Sequence, residues 1–224
     1  MPARDWREHR PSTVRRSGSP RPEGAAAGLL SSAWRPAALA GFLRLNDPGA
    51  QLDRWRTDLD GPALRALMAV ALRPGGLLAA FLRRGFPRVI PARFDTVLRQ
   101  RFAACVARYP NAGNPWLWGL LLGTEPAVAP RPAVEHRVRW ERADVAAHLE
   151  AVPEGWYDAV TLSNVLDGPP APYAQRLCRA LRHGVRPGGV VVLRSLTDRV
   201  PLSGYPATDR CPLWGAVVVS RIGA

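Results

Sequence analysis

Hydrophobic positions divide the chain into two stretches with different periods. In the first, apolar residues recur at helical spacing. Leu64, Leu67, Met68, Ala71 and Leu72 fall on one face, and Pro74-Gly75-Gly76 ends that run. Phe94, Val97, Leu98, Phe102, Cys105 and Val106 mark a longer amphipathic helix, with Arg99, Gln100 and Arg108 turned away from its apolar side. From Pro36 to Gly123 the signals are helical.

After Pro126-Ala127-Val128-Ala129-Pro130 the pattern changes to alternating strands and helices. Val138 to Trp140 predicts a short strand, followed by Asp144 at the cap of a helix running through Leu149. Asp158 to Leu162 is a second strand. Tyr173, Leu177, Ala180 and Leu181 line a helix that opens at Pro172 and closes at Gly184. Gly189 to Ser195 is nearly continuous in apolar residues, as in a parallel sheet covered on both faces, and Gly215 to Ser220 is the last strand. This alternation predicts a βαβ unit in an open, mostly parallel sheet. Residues 1–24 are rich in Arg, Pro, Ser and Gly without apolar period and read as a disordered leader. The expected division is therefore leader 1–24, helical region 25–125 and α/β region 126–224.

Composition changes the picture only where it excludes. An apolar fraction of 47% in 224 residues suits a globular chain with a sizeable core. The formal charge of +13 would ordinarily suggest a polyanion as partner. Here every basic residue of the 31 is arginine, and the arginines are scattered through a chain also rich in Ala, Gly and Pro. That skew fits a GC-rich coding bias, so no dedicated nucleic-acid surface is expected, while arginine on a membrane-facing surface stays open. Cys105, Cys178 and Cys211 are far apart and form no Cys-x-x-Cys or Cys/His cluster, which argues against a disulfide framework and a zinc site. The most apolar stretch, Ala63 to Phe81, is interrupted by Arg65, Arg73, Pro74 and glycines, too broken to span a bilayer. The N-terminus lacks the apolar core of a signal peptide. A cytoplasmic protein, able at most to sit on a membrane, is expected.

The informative residues run from Trp156 through Ser163-Asn164-Val165-Leu166-Asp167 to Arg186-Pro187-Gly188-Gly189 and Val190-Val191-Val192-Leu193-Arg194. A strand ends in small polar residues, a helix crosses over, and a Pro-Gly-Gly turn launches the next strand, proline fixing φ and both glycines permitting the tight reversal. Arg73-Pro74-Gly75-Gly76 repeats the tetrapeptide without a following β-branched strand. The combination resembles the second half of a class I methyltransferase-like domain. The fold implied is α/β, a partial Rossmann-like, mostly parallel sheet with a helical insertion before it. Ligands in such sheets lie at the carboxyl ends of the strands, which places Ser163 and Asn164 at a crevice. The alternative is that both residues simply terminate the strand as turn formers.

Three further phrases narrow the resemblance: Asn114-Pro115-Trp116-Leu117-Trp118-Gly119, Phe42-Leu43-Arg44-Leu45 and Trp214-Gly215-Ala216-Val217-Val218-Val219-Ser220-Arg221, with a helix beginning Ala92-Arg93-Phe94-Asp95. Together with Ser163 to Asp167 they resemble the S-adenosylmethionine:diacylglycerol 3-amino-3-carboxypropyltransferases of betaine-lipid synthesis, over about residues 36–223. The resemblance implies S-adenosylmethionine as co-substrate and a diacylglycerol-type lipid hydroxyl as acceptor. It places Asp144 where such domains contact the adenine amine, beside its alternative role as a helix cap, and Asn114 and Trp116 on the acceptor side, beside their alternative as a helix start packed in the core. A general base is not identified. His136, His148 and His183 have no partner at ligand spacing, and no metal motif is present.

A complete domain of this type opens with a strand, a glycine-rich turn and a second strand ending in an acid, and residues 1–35 contain neither the turn nor the acid. The expectation is weak cofactor binding by a truncated or degenerate chain, with the strands ending at Trp140 and Leu162 deprived of a shared neighbour. Two other readings stay open: a small-molecule methyltransferase, and a non-catalytic remnant whose basic, Trp-rich surface binds membrane or a partner.

Overall fold

The computed structural model describes residues 34–72, 93–124, 126, 139–198, 200 and 202–223. The leader, Val138 and the first Arg-Pro-Gly-Gly lie outside them. Among the described residues, seven helices and a four-strand mixed sheet form two apolar cores. The helical core comes first in the chain. Helix α1 (Pro36–Leu43), α2 (Pro48–Arg54) and α5 (Pro115–Leu122) each start with proline at a position whose N–H needs no partner. Asp47 caps α2 by accepting from the Ala50 N–H at 2.7 Å. A π-helical turn, Trp55–Leu59, follows directly and turns Trp55 and Leu59 inward. The Trp55 ring stacks on Phe102 with centroids 5.4 Å apart.

Helix α3 (Pro62–Leu72) buries Leu64, Met68 and Leu72, and α4 (Phe94–Val106) buries Phe94, Phe102, Cys105 and Val106, as their spacing predicts. Arg99 departs from the expectation. Its guanidinium turns toward α3 and grips both Asp60 carboxylate oxygens, at 2.5 and 2.8 Å, with only 18% of its side chain exposed. A bidentate pair outweighs the helical wheel here.

The sheet is built from β1 (Tyr157–Ser163), β2 (Val185–Ser195), β3 (Tyr205–Pro206) and β4 (Ala216–Arg221), in spatial order β1-β2-β4-β3. β1 and β2 run parallel through helix α7 (Ala171–Gly184), the expected βαβ unit. β4 is antiparallel to both β2 and β3. The expected mostly parallel sheet is thus corrected to a mixed one: the chain returns after β3 by a short loop, and a short return supports only antiparallel pairing with its neighbour. β3 carried no sequence signal.

Helices α6 (Val145–Ala151) and α7 pack on one face, burying Ala146, Leu149, Leu177 and Leu181 against Leu162, Val191 and Leu193. On β2, burial alternates: Gly189, Val191, Leu193 and Ser195 are buried, while Val190, Val192 and Arg194 are half-exposed. The run of valines therefore does not mark a strand covered on both faces among the described residues. Helices mostly precede the sheet. The expected strand at Val138 to Trp140 is also corrected, since Arg139 and Trp140 have no regular structure and Trp140 is 90% exposed. β1 pairs with β2 alone among the described residues.

Candidate functional site

The helical core meets the α/β part at the residues that follow β2 and at the loop before β4: Leu196 packs on that core, Arg101 donates to the Leu196 carbonyl at 2.9 Å, and Asn114 donates to the Arg210 carbonyl. The Asn164 N–H donates to the Arg194 carbonyl at 3.0 Å, and the chain then turns sharply, Asp167 N–H to Asn164 carbonyl at 3.1 Å. To make that turn Asn164 adopts φ 60°, alone among the described non-glycine residues in the left-handed region. Asparagine tolerates this better than most residues, yet the conformation still stores strain. Its Oδ1 is buried and has no hydrogen-bond donor among the described residues. Asp167, 1% exposed, locks the other side of the turn. Its carboxylate accepts from the Ser195 hydroxyl and from the Leu196 N–H, the latter at 2.9 Å. The Ser195 and Thr197 hydroxyls lie 2.8 Å apart. The two strand tips are thereby clamped together, with one acceptor left over.

Of the residues singled out from sequence, Ser163 and Asn164 are brought together here, Ser163 exposed at the end of β1. Asp144, Asn114 and Trp116 are placed elsewhere. Asp144 caps α6, one oxygen accepting from the Ala147 N–H at 2.9 Å and the other from the Tyr173 hydroxyl at 2.8 Å. Arg176 lies 3.6 Å away and also grips Glu150, so this cluster fastens α6 to α7. The Ala147 N–H, and after it the Tyr173 hydroxyl, hold the Asp144 carboxyl below its ordinary value. A carboxyl depressed in the folded state stabilises fully above the unfolded pKa, about 3.9, and loses that contribution as pH falls through the lowered value. Thermal melts of Asp144→Asn should therefore fall less steeply on acidification than those of the wild type. Parallel acid limbs would show that the cluster contributes nothing.

Asn114 is fully buried and caps α5 through the Trp116 N–H at 3.1 Å. Its amide nitrogen donates to the Arg210 carbonyl at 2.9 Å, joining α5 to the loop before β4. Trp116 is 55% exposed, so the core packing offered as its alternative role fails. Trp118 is half-buried, with its indole N–H on the Asn111 carbonyl at 3.1 Å.

A cavity of about 240 Å³ lies between α4 and the 207–217 segment, walled by Arg101, Cys105, Tyr109, Thr208, Cys211 and Trp214. Burial pushes the Cys105 thiol up to about 12 and the Cys211 thiol to about 11, so both are neutral thiols and poor nucleophiles at physiological pH. Arg101 stands between this cavity and the strand tips. It donates to the Leu196 and Leu213 carbonyls, each at 2.9 Å, and pairs with Asp198 at 2.8 Å. Nothing in the periodicity of α4 separates Arg101 from its exposed neighbours. Asp167 stood inside the informative motif, but its burial beneath Ser195 depends on which strands pair. Among the described residues no cluster of His, Cys, Asp and Glu can hold a metal ion. His148 contacts the Tyr157 hydroxyl at 2.7 Å and His183 the Val152 carbonyl at 2.9 Å.

No protein-family model, no curated protein and no solved structure matches this chain.

Proposed function

We propose that this protein is an S-adenosylmethionine-dependent transferase that moves the 3-amino-3-carboxypropyl group to a diacylglycerol-type lipid hydroxyl, with the co-substrate at the carboxyl tips of β1 and β2. The observation that carries the reading is Asn164: a strained backbone and a buried, partnerless Oδ1 at the end of a parallel strand, where doubly wound sheets bind their ligands. A buried acceptor without a donor costs about 1–3 kcal/mol, which a ligand N–H or O–H would recover. The strand order gives further support. β1, β2 and β3 run in one sense, as the fourth, fifth and sixth strands of a doubly wound sheet do, while β4 lies antiparallel between the last two.

In this reading Asn164 accepts a hydrogen bond from the bound nucleoside or its amino-acid part, Ser163 borders the same crevice, and Asp167 keeps the tip in shape. A sulfonium activates all three of its carbons, so the carbon held in line with the acceptor hydroxyl decides the product. Product mass therefore separates aminocarboxypropyl transfer from methyl transfer. NMR titration with S-adenosylmethionine up to millimolar concentration is the suitable measurement. The amide signals of Ser163, Asn164 and Asp167 should shift. In Asn164→Gly, which relieves the left-handed strain while removing the side chain, melting temperature should hold or rise and affinity should fall roughly tenfold. Unmoved tip signals at saturating co-substrate would eliminate the site.

A further inference from the structure

Helices α1 and α5 lie side by side, and neither carries a charged residue along its length. Both send one face into the same core, through Leu39, Phe42 and Leu43 from α1 and Leu117 and Leu121 from α5. Each helix turns its remaining positions away from that core. That outward face is apolar too: Ala37, Ala38 and Gly41 are exposed on α1, and Trp116 is 55% exposed on α5 beside half-exposed Gly119. A surface helix ordinarily places charge there. The glycines sharpen the contrast. Among the described residues a Cβ on Gly41 or Gly119 would meet nothing within 4 Å, so neither glycine is required by packing against them, although each weakens its helix by about 1 kcal/mol relative to alanine.

Charge stands at the ends of these helices rather than along them. Arg35 precedes α1 and Arg44 follows it, both exposed. Arg210, also exposed, reaches the Gly113 carbonyl just before α5 at 3.4 Å. An apolar centre holding a tryptophan and rimmed by arginines complements an anionic bilayer surface, with the indole at headgroup depth and guanidinium groups on the phosphates. No helix among the described residues is long and apolar enough to cross a membrane. We infer that the outer face of α1 and α5 is a lipid-docking surface that seats the chain on anionic membranes. This surface is independent of the strand tips and of the co-substrate.

Flotation of the full chain with phosphatidylcholine vesicles, with and without phosphatidylglycerol, tests it. Binding should require the anionic lipid and weaken with salt. Trp116→Ala combined with Gly41→Glu should lower binding at least tenfold, while Trp140→Ala, which removes an exposed indole that belongs to neither helix, should leave it unchanged. Melting curves establish that each variant folds, and Gly41→Glu adds a side chain into open space. The inference is overturned if the chain does not float, if Trp140→Ala abolishes binding while the α1/α5 variant floats normally, or if sedimentation shows this face closing a dimer instead. Vesicle binding by a chain that ignores S-adenosylmethionine would leave the surface standing and remove only the transferase reading.

Discussion

Gly189→Ala is expected to lower the melting temperature by about 6–12 °C and to abolish the shifts proposed for S-adenosylmethionine at the strand tips, whereas Gly188→Ala, one residue earlier, should cost about 4 °C. The two glycines of the Arg-Pro-Gly-Gly segment do different jobs. Gly188 has φ 77° and open space around its Cβ position, so alanine there meets only the left-handed penalty of about 1–2 kcal/mol. At Gly189 no positive φ is involved. A Cβ would stand 2.6 Å from Val185 Cγ1, 2.8 Å from the Arg186 carbonyl and 2.9 Å from the Asp158 carbonyl. Backbone cannot rotate away as a side chain can, so β1 must be pushed off β2. The register explains the crowding: Tyr157 pairs with Val185 and Ala159 with Val190, so five residues of β2 are gathered against two of β1. The same register sets the Asn164–Arg194 hydrogen bond at the far end of the strands. Equal losses in the two variants, or a larger one at Gly188, would refute this division of labour.

That comparison also marks how far the sequence can be read. A Pro-Gly-Gly segment before a run of valines announces a bend into a strand, and the bend is there. What it does not announce is that Val185 already belongs to the strand, so that the segment is a bulge rather than a reversal. Local periodicity carries the helices α3, α4 and α7 and the strands β1, β2 and β4, because each depends on neighbours a turn or a residue apart. Strand direction and sheet order depend on which distant segments meet. β3, two residues long, is defined only by its hydrogen bonds to β4. The same limit governs the site. Ser163 and Asn164 were legible because strand-end position is a local property. The orphan Oδ1 of Asn164 and the clamp by Asp167 were not, since both exist only once β2 lies alongside. Asp144 shows the converse, a residue whose capping role follows from sequence alone and which the fold then fastens to Tyr173 and Arg176.

Gln51→Leu should destabilise the helical core by about 3 kcal/mol or more, although leucine fills a similar volume and the position faces no water. Gln51 is fully buried in α2. Its amide nitrogen donates to the Val106 carbonyl at 2.6 Å and to the Tyr109 carbonyl at 2.9 Å, satisfying the end of α4 and the turn beyond it. Its Oε1 accepts from the Asn111 N–H at 2.8 Å. Leucine would leave these backbone groups buried without that partner, and each unsatisfied group costs about 1–3 kcal/mol. Gln51→Glu separates hydrogen bonding from shape. The carboxylate keeps an acceptor for Asn111 but sets its charge against two carbonyl oxygens, so its folded-state pKa must rise above the ordinary glutamate value. An acid with a raised folded pKa imposes no ionisation penalty while it is protonated in both states, and an increasing one as pH climbs from its unfolded value through its folded value. Denaturant melts should therefore find Gln51→Glu closest to wild type in mild acid and progressively weaker toward neutrality, with Gln51→Leu equally weak at both. A pH-independent Gln51→Glu, or a Gln51→Leu as stable as the wild type, would mean that the 106–114 segment, which carries Asn114 and borders the cavity beside Cys105, is held by packing alone.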